Sequence, residues 1–218
     1  MGYGIKIEVW GDYALFTRPE MKVERVSYDV ITPSAARGLI EAIYYKPAIR
    51  WFIDKIVVCN PIKFTNIRRN EVKSKISARN AKSAMNGTGR ISPIYTPIDI
   101  QQRASLVLKN VRYIIEAHFE MTSKAGEKDT PEKHYSIVMR RLQNGQCFHQ
   151  PCFGCREFPA NFRVFEGDPD KEGIQESRDL GFMLFDMDYS DPRNIKPLFF
   201  RASMKNGVID LRDCEVVQ

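Results

Sequence analysis

Apolar and polar positions alternate along Ile5-Lys6-Ile7-Glu8-Val9-Trp10. That period of two predicts a strand with one buried face. Gly11-Asp12 interrupts it, and residues 13–16 and 23–30 are expected to be extended, joined by a polar loop through Pro19. Thr32-Pro33 reads as a helix N-cap followed by proline at the first helical position, where a missing N–H costs nothing. Ala36, Leu39, Ile40 and Ile43 follow at helical spacing, and Pro47 stops the helix. A strand over about 53–59 completes a strand–helix–strand unit. Residues 106–121 return to strand character. Tyr113, Ile115, Ala117, Phe119 and Met121 share one face, and Arg112, Glu116, His118 and Glu120 most of the other. Ile137, Val138, Arg141 and Leu142 then mark one side of a short helix opened by Lys133-His134-Tyr135-Ser136, and residues 145–155 read as a loop. Strands are expected at 162–165, 182–187 and 198–204. Lys205-Asn206-Gly207-Val208 turns the last of them back into 209–211, since Asn-Gly between apolar runs is a strong hairpin signal. Two helices among many strands give an α+β layout.

The stretch 63–90 has no apolar periodicity over most of its length, and 83–89 is small and polar, so it is expected to be mobile unless bound. It holds eight basic residues against one acid, Glu71, and so carries +7; the chain as a whole carries +6, leaving −1 for everything else. Charge concentrated this way is the footprint of a phosphate-binding surface, with Arg68, Arg69, Lys73, Lys75, Arg79 and Lys82 the expected contacts. The plainer alternative is a solvated loop. No apolar run approaches the roughly 20 residues of a membrane helix. Residues 1–6 have neither the basic nor the apolar region of a secretory signal. With five cysteines, an odd number, the expectation is a cytoplasmic protein with reduced thiols and no membrane partner.

Candidate chemistry is sparse. His134 stands beside Lys133 where a polar loop meets a helix. An imidazole titrates near neutrality, and a neighbouring ammonium can stabilise charge on a phosphorane; a solvated surface pair is the plainer reading. Tyr44 falls at the edge of the first helix's apolar stripe, and either packs its ring with a free hydroxyl or points at a nucleotide. His118 lies between Glu116 and Glu120 on a polar face that explains it without chemistry. Cys147, His149, Cys152 and Cys155 supply a Cys3His set, but within nine residues, which is compact for a tetrahedral zinc site. No Walker loop, Gly-x-Gly-x-x-Gly motif or paired-carboxylate constellation appears. No metal or cofactor is therefore expected, and any phosphodiester cleavage would use side chains alone.

Five segments in order carry a resemblance: Gly11-Asp12-Tyr13-Ala14-Leu15-Phe16-Thr17, Ile43-Tyr44-Tyr45-Lys46-Pro47, Ala117-His118-Phe119-Glu120, Lys133-His134-Tyr135-Ser136 and Gly154-Cys155-Arg156-Glu157-Phe158. Together they resemble the CRISPR-associated RAMP proteins of family five, subtype d, of type I-C systems. The resemblance implies a ferredoxin-like, RRM-related N-terminal domain and a smaller antiparallel β C-terminal domain. The expected division is 1–145, with the basic insertion near 63–90, and 146–218. It also implies metal-independent cleavage of precursor CRISPR RNA at the repeat hairpin, and retention of the crRNA 5′ handle within Cascade beside its other subunits. The family's tyrosine, lysine and histidine fall on Tyr44, Lys133 and His134. A subunit that binds guide RNA or duplex DNA without cutting is the alternative. The basic insertion and the cysteine cluster have no counterpart in the resemblance.

Overall fold

A computed structural model describes residues 3–21, 23–191 and 193–218. Strand β1 (Gly4–Ala14) carries the opening alternation, and Ile5, Ile7 and Val9 are buried by it. Residues expected to be extended after it form only the short strand β2 (Arg25–Val26). Helix α1 (Pro33–Ile43) begins where Thr32 caps it, the threonine hydroxyl accepting from the Ala35 N–H; such a cap stabilises a helix by about 1 kcal/mol. Strand β3 (Ile49–Val58) follows, then β4 (Phe64–Val72), helix α2 (Ala78–Met85) and the long strand β5 (Ile100–Met121). Helix α3 (Pro131–Gln143) is capped by Thr130. The remainder comprises β6 (Asn161–Val164), β7 (Arg178–Asp188), β8 (Lys196–Met204), β9 (Val208–Asp210) and β10 (Val216–Val217).

The main sheet runs β6-β1-β5-β3-β9, and every pairing along that path is antiparallel. Ala36, Leu39, Ile40 and Ile43 of α1 and Val138 and Leu142 of α3 share one core with Ile7, Trp51 and Phe119. The faces of β5 follow the alternation: Tyr113, Ile115, Ala117 and Phe119 are buried. A buried carboxylate ties three strands together, because Glu8 of β1 accepts from Arg112 of β5 and from Arg163 of β6. A second sheet, β10-β8-β7, lies off this path. Two strands beyond residue 145 nevertheless return to the main sheet, β6 beside β1 and β9 beside β3. The turn at Asn206-Gly207 is formed as the sequence suggests, with φ of 48° and 78° and reciprocal Lys205–Val208 backbone bonds. The returning segment continues onto β3.

Candidate active site

Tyr44 caps the C-terminus of α1, and the following turn brings the chain back as β3. Its carbonyl accepts from Trp51 Nε1 at 3.0 Å, and the Arg141 guanidinium lies 5.2 Å from its ring centroid while donating to the Ile43 carbonyl at 2.6 Å. These contacts fix a ring that is only 2% exposed. The sequence allowed a free hydroxyl; instead Tyr44 Oη lies 2.7 Å from His134 Nδ1. Their rings pack at 5.9 Å, and Phe119 meets the imidazole edge-on at 6.3 Å.

His134 sits in the first turn of α3, its backbone N–H bonded to the Thr130 carbonyl. It too is 2% exposed, and its Nε2 is buried without a hydrogen-bond partner among the described residues. The nearest acid is Asp129, whose Oδ1 stands 3.5 Å away. The same oxygen accepts from Lys133 Nζ at 3.1 Å, while Oδ2 accepts the Gly126 N–H. Lys133 also donates to the Lys128 carbonyl, so its ammonium is engaged rather than loose in solvent. One carboxylate thus spans the lysine and the histidine, where an anion between them would lie.

Burial is the main influence that lowers the His134 pKa; Lys133 and Lys46 act the same way, and Asp129 opposes them. The imidazole is therefore neutral at pH 7. Burial pushes the Tyr44 phenol up, so it stays protonated. Asp129 is held down by the Gly126 N–H and by Lys133. With Nδ1 occupied by a phenol, Nε2 is the nitrogen left to move a proton. Asp129 was not singled out from the sequence, although its spacing of four from Lys133 is the helical ion-pair signal.

The other expected site residues lie apart from this group. Within the basic stretch residues 64–72 form a strand and 78–85 a helix, regular structure that the absence of apolar periodicity did not announce. Strand β4 pairs along its length with Ile100–Leu108 of β5, and α2 follows it, capped by Ser77. Arg68 is exposed on the strand, Lys73 and Lys75 in the turn beyond it, and Arg79 and Lys82 on α2. Arg69 faces the opposite way, paired with Glu157 at 2.7 Å and lying over Phe158. It braces the arm and is already neutralised. The alternation was invisible because the arm buries neither face: β4 has no buried residue and neither has α2. His118 does more than decorate a polar face, for Asp54 holds its Nδ1 at 2.8 Å.

The cysteine loop is knit by backbone bonds. Phe148 and His149 donate to the Ala42 carbonyl, Leu15 donates to Phe153, and Phe153 is fully buried. Gly154 adopts a φ of +80°, and a Cβ there would strike the Leu15 carbonyl, which explains a glycine at this point. Burial pushes the Cys152 thiol up. No three His, Cys, Asp or Glu side chains converge on a metal position among the described residues.

Residues 4–212 match the model of a family of CRISPR-associated proteins, Cas5, in its Cas5d form. Over 218 residues the chain is 54% identical to a protein of Mannheimia succiniciproducens named CRISPR pre-crRNA endoribonuclease Cas5d, covering 97% of this chain and 96% of that one. A protein of the same name from Thermus thermophilus is 38% identical over 224 residues, covering 95% and 90%. The chain belongs to the Cas5d family of CRISPR-associated proteins. A crystal structure of a CRISPR-associated protein shares the fold, with a TM-score of 0.69 at 24% identity over 99% of this chain and 96% of that one. No described helix is long and apolar enough to cross a membrane.

Proposed function

We propose that this chain is a metal-independent endoribonuclease that cleaves precursor CRISPR RNA at the repeat hairpin and keeps the 5′ handle as a type I-C Cascade subunit. The observation that carries the reading is the 2.7 Å contact between Tyr44 Oη and His134 Nδ1, with Lys133 next in the chain. These are the three residues onto which the family's catalytic positions fall. The names of the relatives support the substrate. The path β1–α1–β3–β5–α3–β6, in the spatial order β6-β1-β5-β3, supports a ferredoxin-like core. We take the sheet of β7, β8 and β10 as the smaller C-terminal unit. Residue 145 is then where the chain leaves the first unit, to which β6 and β9 later return.

RNA carries its own nucleophile, the 2′-hydroxyl beside the scissile phosphate. Neutral His134, with its own proton on Nδ1 donated to Tyr44 Oη, takes the hydroxyl proton at Nε2 as the 2′-oxygen bonds to phosphorus. The same proton passes to the 5′-oxygen as its bond to phosphorus breaks. Tyr44 fixes the imidazole through Nδ1, and Lys133 stabilises the charge on the phosphorane. The products are a 2′,3′-cyclic phosphate and a 5′-hydroxyl. For the phosphate to reach Lys133 and Nε2 it must displace the Asp129 carboxylate, which lies between them. Purified protein in EDTA is expected to cut its repeat RNA at one position, and a 2′-deoxy nucleotide at that position to block the cut. Cutting of the deoxy substrate would end the 2′-hydroxyl mechanism.

One observation favours the rival reading, a subunit that binds guide RNA or duplex DNA without cutting: Tyr44 and His134 are both buried. The same assay separates the two. The exposed cations Arg68, Lys73, Lys75, Arg79 and Lys82 serve either reading by holding phosphates. Each contact removed by alanine is expected to flatten the log–log salt dependence of binding by roughly 0.7–0.9 units, with the cleavage position unchanged. Arg69→Ala, whose cation is already paired, is expected to move that slope least.

A further inference from the structure

A second built site lies at the outer edge of β3. Phe52 and His118 are cross-strand partners in the β3–β5 ladder, and alternation turns them to the face opposite Trp51 and Phe119. Just beyond, the register slips between Ile53 and Lys55, and Asp54 is the extra residue of this bulge. Bulges re-aim side chains, and here the Asp54 carboxylate holds His118 Nδ1 with both oxygens, at 2.8 and 2.9 Å. The imidazole stacks on Phe52, the rings 5.3 Å apart and 13° from parallel, and the Arg50 guanidinium covers the ring at 5.2 Å. The result is a fixed stack of guanidinium, phenyl and imidazole whose His118 Nε2 has no hydrogen-bond partner among the described residues.

Two cavities open on this stack, of about 190 and 380 Å³, and they share Arg37, Arg50, Phe185 and Asp186, so they form one groove. The first contains His118 and Asp54; the second ends at Tyr189, which is exposed. Arg37 is neutralised by Glu41 and Asp186, and Arg212 by Asp210. Arg50, where the cavities join, has no acid partner among the described residues. A groove with one unpaired guanidinium at its centre, a carboxylate-oriented imidazole at one end and an open aromatic at the other has the chemistry of a nucleotide seat. The cation takes a phosphate, the imidazole a sugar hydroxyl or base edge, and the ring a base face.

We propose that the groove between β3 and β7 holds one nucleotide of the RNA away from the cleavage position, its phosphate on Arg50 and a polar edge on His118 Nε2. This rests on RNA being the ligand, as in the proposed function. It is independent of whether the chain cuts. Binding of repeat RNA with a 2′-deoxy scissile nucleotide is measured by fluorescence anisotropy across a salt series, and single-turnover cleavage is measured at saturating normal RNA. Arg50→Ala and His118→Gln are each expected to raise Kd roughly tenfold, and Arg50→Ala to flatten the salt slope by about 0.7 units. The cleavage rate at saturation is expected to stay at its wild-type value in both. Arg50→Gln, which keeps the stem and removes the charge, is expected to repeat the slope change should the alanine variant fold poorly. Unchanged Kd and slope overturn the proposal, and so does a lowered Tm with unchanged Kd, which would make the dyad a brace for the sheet edge. A wild type that binds RNA and loses affinity with Arg50→Ala yet never cuts leaves this site standing and removes the endoribonuclease reading. A wild type that binds no RNA removes both.

Discussion

His134→Ala is expected to lower the single-turnover rate of repeat-RNA cleavage by roughly 10²–10⁴-fold, the usual worth of general acid–base catalysis, while RNA affinity changes little. The separation is expected because the imidazole offers the strand one nitrogen, Nε2, while its ring stays packed against Tyr44 and Phe119. Tyr44→Phe removes the hydroxyl that meets Nδ1 and is expected to cost rate in the same way. The two should not be additive. Once the imidazole is gone the phenol has nothing to orient, so the double variant should resemble His134→Ala alone. Equal losses in affinity and rate for His134→Ala would instead make it a contact residue. Additive losses would mean that Tyr44 works on the substrate directly.

Much of this site is legible in the amino-acid sequence. Thr32-Pro33 marks where α1 begins, and the apolar stripe ending at Ile43 puts Tyr44 at its C-cap. Thr130-Pro131 repeats the same start three residues before Lys133-His134. These are local signals, set by capping and by a period that one helix carries in its own residues. What stays hidden depends on contacts distant in sequence. The burial of Tyr44 follows from α3 folding over α1, 90 residues later. The Asp54–His118 pair depends on a one-residue bulge that no composition announces. Strand β4 is held by cross-strand pairing to β5 and buries none of its own residues, so it lacks the alternation by which strands are recognised. The return of β9 to β3, where a local hairpin partner would have sufficed for the Asn206-Gly207 turn, is likewise a choice made by the assembled sheet. Asp129 shows the boundary between the two kinds of signal. Its spacing from Lys133 is local and readable, whereas its approach to the unpartnered Nε2 arises only once α3 is docked.

The cleavage rate is expected to fall about tenfold per pH unit on the acid side, with the limb below pH 6.5. Burial, Lys133 and Lys46 lower the His134 pKa, Asp129 raises it and Tyr44 fills Nδ1; the lowering wins. The neutral base therefore persists to a pH below the free imidazole value of roughly 6.5 and is lost only as pH falls through the lowered pKa. Stability follows the same sign. An unfolded histidine takes up its proton near pH 6.5, before the folded one does, so the unfolded state binds more protons and folding weakens as pH drops below that value. Asp129→Asn tests both parts of the site at once. It removes the one influence that raises the His134 pKa, so the acid limb should move to still lower pH. It also clears a negative charge from the place the scissile phosphate must take, and KM should fall by about tenfold, equivalent to roughly 1.4 kcal/mol. A limb that moves upward would mean that Asp129 does not act on His134 through its charge. A collapse of kcat with KM unchanged would make the carboxylate a positioning group for the imidazole, and the phosphate would then have to approach His134 and Lys133 without displacing it.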